Sequence, residues 1–313
     1  MPTRRGAIRI FRLFGIDVFL HWSWIIIAFI RIDYLHYGNY HSSIWYVAEC
    51  LALFGIVLIH EFGHALACRS VGGVANFIIL WPLGGVAYVS PPQRPGAMLW
   101  SIAAGPLVNV ALLPVFSVFW YCGYAFGWPA IHPDLYQFLQ VLWFINLVLL
   151  IFNMLPVYPL DGGQILRSVL WFFLGRAKSL MVASIIGFVG VGLGAIWAIY
   201  SFVFGDAASA TVLGVFVIFI GLTCWGGFQQ ARALARLEGA PRRQEFRCPS
   251  CHESPPIGQF WGCNRCRRTF DTFQTQGFCP HCQTEYSVTA CPFCYSRRPM
   301  PEWRAFSPAP PQA

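Results

Sequence analysis

The stretch Ile59-His60-Glu61-Phe62-Gly63-His64 decides how the rest of this chain is read. If it is helical, the two histidines four residues apart project from one face a turn apart, which is the spacing that lets both imidazoles share one Zn²⁺. Glu61 then lies beside the metal, placed to take a proton from water. Short motifs of this kind recur by chance, so the surroundings carry the decision. Residues 45–59 are almost wholly apolar, and ionisable groups inside a membrane helix are too costly to sit there unpartnered. A metal ion supplies the partner.

Working outward, the composition agrees. The chain has 313 residues, 57% hydrophobic, 17% aromatic and 11% charged, which is too apolar for a soluble protein of this size. It reads as a multi-pass protein of the cell membrane, in contact with the lipid bilayer. The net charge of +8 is informative through its placement. Arg4, Arg5, Arg9 and Arg12 precede the first apolar run, Arg232, Arg236, Arg242 and Arg243 follow the last, and Arg31 falls on the opposite side. By the positive-inside rule both termini face the cytoplasm. The first apolar run ends without a small-residue cleavage site and is read as a retained anchor.

The expected fold is an all-α multi-pass membrane protein of about six transmembrane helices with a membrane-associated β-hairpin, followed by a small zinc-ribbon-like domain. Residues 1–240 form the membrane domain, 241–298 the ribbon and 299–313 a proline-rich disordered tail. A first span, 16–30, carries Asp17 and His21, the latter read as a polar contact within the bundle. Interfacial aromatics follow at Tyr34, Tyr37 and Tyr40. The second span, 44–68, holds the histidines. Cys68 continues their stripe but lies too far along it to share their metal, and reads as a small buried thiol.

Phe77 to Leu80 and Pro82 to Val89 read as strand, turn, strand. Irregular backbone at membrane level must be buried or line a wet cavity, and an exposed edge there could hold an extended substrate by adding it as a strand, with Gly84 and Gly85 as the contact residues. A plain cytoplasmic hairpin is the alternative. The third span, 98–121, contains Gly105 and Asn109, a small residue and an amide suited to close helix packing and an interhelical hydrogen bond. In the fourth, which begins near Leu135, Pro156 and Pro159 stop the helix, so Asp161 is presented by non-helical backbone at membrane level, as a ligand, as a helix cap, or as both. The fifth and sixth spans are 180–204 and 211–228. Gly190 and Gly194 in the fifth permit close helix contact, within the chain or across a dimer.

The tail carries four Cys-x-x-Cys pairs, Cys248/Cys251, Cys263/Cys266, Cys279/Cys282 and Cys291/Cys294. Eight thiolates suit two tetrahedral Cys₄ zinc sites, and their spacing leaves the pairing open. His60, His64 and Asp161 complete a three-ligand site with an open fourth position, the arrangement of a hydrolytic zinc. One catalytic and two structural Zn²⁺ are therefore expected.

With His60, Glu61 and His64 in one membrane helix and Asn153, Pro156, Pro159, Asp161 and Gly162 in a later one, the chain resembles the site-2 protease family of intramembrane zinc metalloproteases. Gly105/Asn109 and the hairpin ending Pro82-Leu83-Gly84-Gly85 add weaker support. The resemblance covers roughly residues 10–230. It implies cleavage of a single-span membrane protein within or near the bilayer, with Glu61 as the base and Asn153 orienting substrate or stabilising the developing oxyanion; a packing amide is the other reading of Asn153. Asn109 joins Gly84 and Gly85 as a substrate-binding residue. Unlike some relatives, the chain has no room for an inserted PDZ domain, and its cysteine-rich tail stands where they carry nucleotide-sensing domains. That tail suits a cytoplasmic protein partner better than nucleic acid, although Arg265, Arg267 and Arg268 stand among Phe260, Trp261, Phe270 and Phe273. The competing readings are a membrane zinc transporter, disfavoured by the lack of a repeat between the halves, and a membrane-anchored zinc-ribbon binding module.

Overall fold

The structure is a computed structural model that describes residues 6–24, 39–81, 84–205 and 207–303. The chain divides into two compact units, Met1–Gly175 with Ser179–Phe228, and Arg176–Lys178 with Gln229–Ala313.

The first unit opens with an antiparallel hairpin of β1 (Ala7–Leu13) and β2 (Ile16–His21). Phe14 and Gly15 close it at φ 49° and 72°, the left-handed conformation that a two-residue turn between twisted strands requires. This corrects the expectation of a membrane helix starting at Ile16. Ile16 and Val18 are fully buried, whereas Asp17 between them faces Arg9 across the hairpin at 2.9 Å. A buried β-branched strand is as hydrophobic as a helical span, and alternation is what separates the two. Residues 25–30 of that expected span and most of the following aromatic loop lie outside the described residues. Tyr40, within them, packs on Trp45 and Tyr46.

The expected strand, turn, strand is β3 (Val74–Trp81) and β4 (Gly84–Ser90), but it is half of a larger sheet in the order β1-β2-β3-β4. Strands β2 and β3 run parallel with Val18 opposite Ile78, and β3 and β4 antiparallel with Trp81 opposite Gly84. Ile16, Val18, Ile78 and Leu80 bury one face of the sheet against Phe62, Ala65 and Cys68 of α1 (Ile44–Ser70). The sheet is thereby fixed beside the helix that carries the histidines.

After α1 come α2 (Pro95–Ala125), the short α3 (Trp128–Ile131), α4 (Pro133–Met154), α5 (Asp161–Leu174), α6 (Arg176–Phe204) and α7 (Ala207–Glu238). Five segments among the described residues are long and apolar enough to cross a membrane, Ile44–Ser70, Pro95–Ala125, Pro133–Met154, Arg176–Phe204 and Leu213–Glu238, since about 20 helical residues suffice. The protein is a multi-pass membrane protein, mostly helical but with a sheet. Between α4 and α5 the chain unwinds at Pro156 and Pro159 and turns back tightly. Gly162 permits this, because a Cβ there would lie 2.5 Å from the Leu155 carbonyl oxygen.

The second unit contains the cysteine-rich module, whose short strands pair as β5 (Trp261–Gly262) with β6 (Thr269–Phe270) and β7 (Val288–Ala290) with β8 (Arg297–Pro299). Its core is aromatic. Phe273 meets Phe246, Trp261 and Trp303 with ring centroids 4.9, 5.3 and 5.2 Å away. Small zinc modules need such residues because they have little else to bury. The module continues past the expected limit at residue 298: β8 ends at Pro299, a 3₁₀ turn runs over Met300–Trp303, and Trp303 is fully buried. Phe270 and Phe273 are buried too, which removes them from the basic aromatic surface that would have suited nucleic acid.

Candidate active site and metal centres

The 3.6-residue period brings His60 and His64 to one face of α1, and the break after α4 delivers Asp161, the first residue of α5, to the same point. His60 Nε2 and His64 Nε2 lie 3.1 Å apart, with Asp161 Oδ2 at 3.1 Å from the first and 3.3 Å from the second. Ligands around a tetrahedral Zn²⁺ at about 2.0–2.1 Å stand about 3.3 Å from one another, so the three atoms already have the spacing a shared zinc imposes. Among the described residues, the contacts of the Asp161 carboxylate run to the two histidines.

Hydrogen bonds fix the tautomers. His60 Nδ1 donates to the Asn109 side-chain oxygen at 2.5 Å, and His64 Nδ1 donates to the Ser101 carbonyl at 2.9 Å. In the neutral imidazoles both protons are therefore on Nδ1 and both Nε2 atoms carry lone pairs. Two such nitrogens and a carboxylate oxygen converging in a buried place can share a cation, and this donor set fits Zn²⁺.

Asn109 thus has a different place from the one its motif suggested. It is fully buried behind His60, and its amide donates to Asn146 Oδ1 at 2.8 Å while Asn146 donates back to the Asn109 carbonyl at 2.9 Å. Both polar groups of its side chain are engaged within the protein, the oxygen by His60 and the nitrogen by Asn146. Ser101 and Asn146 carried no recognisable sequence signal, since an isolated serine carbonyl or a lone amide in an apolar helix has no motif. Gly105 proves to be a wall of the site: a Cβ there would collide with His64 Nε2 and sit 2.8 Å from His60 Nε2.

Glu61 points the other way round the helix, towards β4. Its Oε2 accepts from the Ala87 backbone N–H at 2.7 Å, and Gly85 leaves room for it, because a Cβ at residue 85 would lie 2.6 Å from Glu61 Cδ. Gly84 opens β4 opposite Trp81. Asn153 is half-buried in the last turn of α4, and none of the hydrogen bonds among the described residues ties it to the histidines.

The cysteines form two nested quartets, Cys248, Cys251, Cys291 and Cys294 outside and Cys263, Cys266, Cys279 and Cys282 inside. All four Cys-x-x-Cys pairs fold alike. The first cysteine's carbonyl accepts from the residue after the second cysteine, His252, Arg267, Gln283 or Tyr295, each time at 2.9 Å, and these residues sit at φ 58° to 61°. The first cysteine's own N–H donates at 2.8–3.0 Å to the next residue along, Glu253, Arg268, Thr284 or Ser296. Such a knuckle aims both sulfurs at one point. Across each quartet the facing sulfurs are 3.5–3.7 Å apart, against about 3.8 Å expected for four thiolates at about 2.3 Å from Zn²⁺. The Cys266 N–H and the Tyr286 hydroxyl pull the Cys263 thiol down to about 5, towards the thiolate, the form that binds metal.

Comparison with known proteins places the first unit. Residues 48–127 and 122–197 match the model of peptidase family M50, and these ranges contain His60, Glu61, His64, Asn109 and Asp161. The membrane unit belongs to peptidase family M50. A zinc metalloprotease of Methanocaldococcus jannaschii is 34% identical over 185 residues, 58% of this chain and 50% of that one. Rip3 of Mycobacterium tuberculosis strain H37Rv is 30% identical over 241 residues, 73% of this chain and 58% of that one. The chain thus spans about half the length of these relatives. Among solved structures, the site-2 protease from Methanocaldococcus jannaschii aligns with a TM-score of 0.47 and 24% identity, covering 71% of this chain and 95% of that one.

Proposed function

We propose that this M50 chain is an intramembrane zinc metalloendopeptidase of the site-2 type, hydrolysing a peptide bond of a single-span membrane protein within or near the bilayer. The convergence of His60 Nε2, His64 Nε2 and Asp161 Oδ2, with Glu61 on the same helix, carries the reading. His60, His64 and Asp161 would hold the ion. When bound, Zn²⁺ supplies Lewis acidity towards the carbonyl and makes water a nucleophile near neutral pH.

The remaining work falls to the chain. Glu61 takes the proton of the attacking water and returns it to the leaving amine. Its bond to Ala87 N–H fixes one carboxylate oxygen and leaves the other for this transfer. β4 is the last strand of its sheet, and its Ala87 N–H points away from β3 towards Glu61. A substrate segment added along this edge at Gly84 and Gly85 would therefore lie beside the base. Asn153 orients that segment or stabilises the oxyanion as it forms.

The two cysteine quartets hold one structural Zn²⁺ each, and the module they organise serves a cytoplasmic protein partner. Arginines at both ends of the membrane unit support cytoplasmic termini. In addition, the β1–β2 hairpin packs on the C-terminal half of α1, at Cys68, whereas Tyr40 packs at its N-terminal end, on Trp45.

The deciding experiment compares membrane-protein fragments in cells carrying the intact chain or Glu61→Gln. A fragment that appears with the first and not with the second is expected. Identical fragment patterns, together with zinc flux in liposomes, would replace the protease by a transporter.

A further inference from the structure

Asp161 differs from the two histidines in what holds it. They ride within a long helix, whereas Asp161 opens α5 directly after the non-helical residues 155–160, so that loop sets where the helix begins and helps to place its carboxylate. Two side chains of the loop are seated in the α6–α7 helix pair. Val157 lies against Gly190, where a Cβ would be 2.7 Å from Val157 Cγ2. Tyr158 lies against Gly227, where a Cβ would be 2.8 Å from the ring carbon Cε1 and 2.9 Å from Ser184 Oγ. The fully buried Cys224 donates its thiol proton to the Tyr158 carbonyl at 2.8 Å, and Gly187 leaves space for that sulfur, since a Cβ there would stand 2.6 Å from it.

Other glycines on the same two helices, Gly192, Gly214 and Gly226, face open space, with nothing within 4 Å of an added Cβ. Gly194, which the sequence paired with Gly190 as one seam, meets Val217 of α7. The seam therefore splits: Gly194 packs helix on helix, and Gly190 receives the loop.

We propose that α6 and α7 fix the third ligand of the metal site, with Gly187, Gly190, Gly227 and Cys224 as positioning residues that act on Asp161 through Val157 and Tyr158. The proposal rests on the metal-site reading of His60, His64 and Asp161. Glycine is a poor helix former, and alanine favours the helix at each of these positions by propensity alone. An adverse effect confined to the loop-facing glycines therefore has to come from the loop.

The test measures zinc affinity of the detergent-purified full chain by chelator competition, with Zn²⁺ alone as the probe and the zinc lost in His60→Ala defining the membrane site. Gly190→Ala and Gly227→Ala should weaken that site by about 10- to 100-fold, the range found when residues supporting a metal ligand are changed. Gly192→Ala and Gly226→Ala should bind like the unaltered chain. Val157→Ala removes the atoms that a Cβ at residue 190 would strike, so Gly190→Ala with Val157→Ala should recover the affinity; this pair decides the matter if Gly227→Ala does not fold. Cys224→Ala should shift affinity in the same direction. Unchanged affinity in Gly190→Ala and Gly227→Ala, or no recovery in the double variant, overturns the proposal while the metal site stands. A full chain with no His60-dependent zinc overturns the site and the proposal together.

Discussion

The Asn109 side-chain oxygen stands 2.5 Å from His60 Nδ1, and it cannot be exchanged for the amide nitrogen, because that nitrogen is already donated to Asn146 Oδ1 at 2.8 Å. The direction of the whole relay follows. Asn146 fixes which way Asn109 faces, Asn109 fixes the proton on His60 Nδ1, and His60 is left with its Nε2 lone pair towards Asp161. Three helices, α1, α2 and α4, thereby share one polar chain inside the membrane, where each unmade hydrogen bond is costly.

Asn109→Ala should therefore lower zinc affinity at the membrane site by about 10- to 100-fold, and Asn146→Ala should do so more weakly. Chelator competition on purified protein measures both. An Asn109→Ala protein with full affinity would return the residue to simple packing.

Glu61→Gln should abolish cleavage and keep the zinc. A glutamine can still accept the Ala87 N–H, so the local fold survives, and the three ligands are untouched; what is lost is a group able to hold a proton in transit. Turnover by the variant would remove Glu61 from the mechanism. Asp161→Ala should instead lose metal and activity together.

Gly85→Ala tests the link between sheet and base. The new Cβ would collide with Glu61 Cγ and displace the carboxylate, so the cleavage rate should fall on the order of 10²-fold or more, the lower range for general-base catalysis, with zinc content unchanged. This is a sharper probe than proline at Ala87, which would remove the Glu61 hydrogen bond and alter the strand edge at once. A variant that cleaves at the normal rate would mean that Glu61 can move aside freely.

Much of this site was legible because its chemistry is periodic or punctuated. His60 and His64 are one helical turn apart, and prolines mark the break that presents Asp161. Asn109 was visible as an amide in an apolar helix, but spacing along α2 does not say whether that amide faces a cleft or the back of a ligand on α1. Ile16 to His21 was misread because hydropathy sums side chains and ignores the alternation that sends Asp17 across to Arg9. The nested pairing of the cysteines was illegible for the opposite reason. The four knuckles are the same motif, so nothing within any one of them names its partner; pairing is set by the strands and the aromatic core around Phe273 that bring distant knuckles together.

Metal count tests both units at once. Three ligands in the membrane make one site and eight cysteines make two, so the intact chain should carry three zinc ions and a chain ended at Gly239 should carry one. The nesting adds a finer expectation. Cys263→Ser strikes the inner quartet, and because structural zinc contributes directly to folding, the loss should reach the shared aromatic core: Trp261, in β5 just before the inner ligand Cys263, packs on Phe273 beside the outer quartet. Zinc should then fall by more than one per chain, whereas His60→Ala should remove one and leave the module folded. Elemental analysis of detergent-purified protein gives the counts, and tryptophan fluorescence of the separately expressed tail follows its unfolding on chelation. One zinc in the intact chain would sink the ribbon sites, and two zincs unaffected by His60→Ala would sink the membrane site.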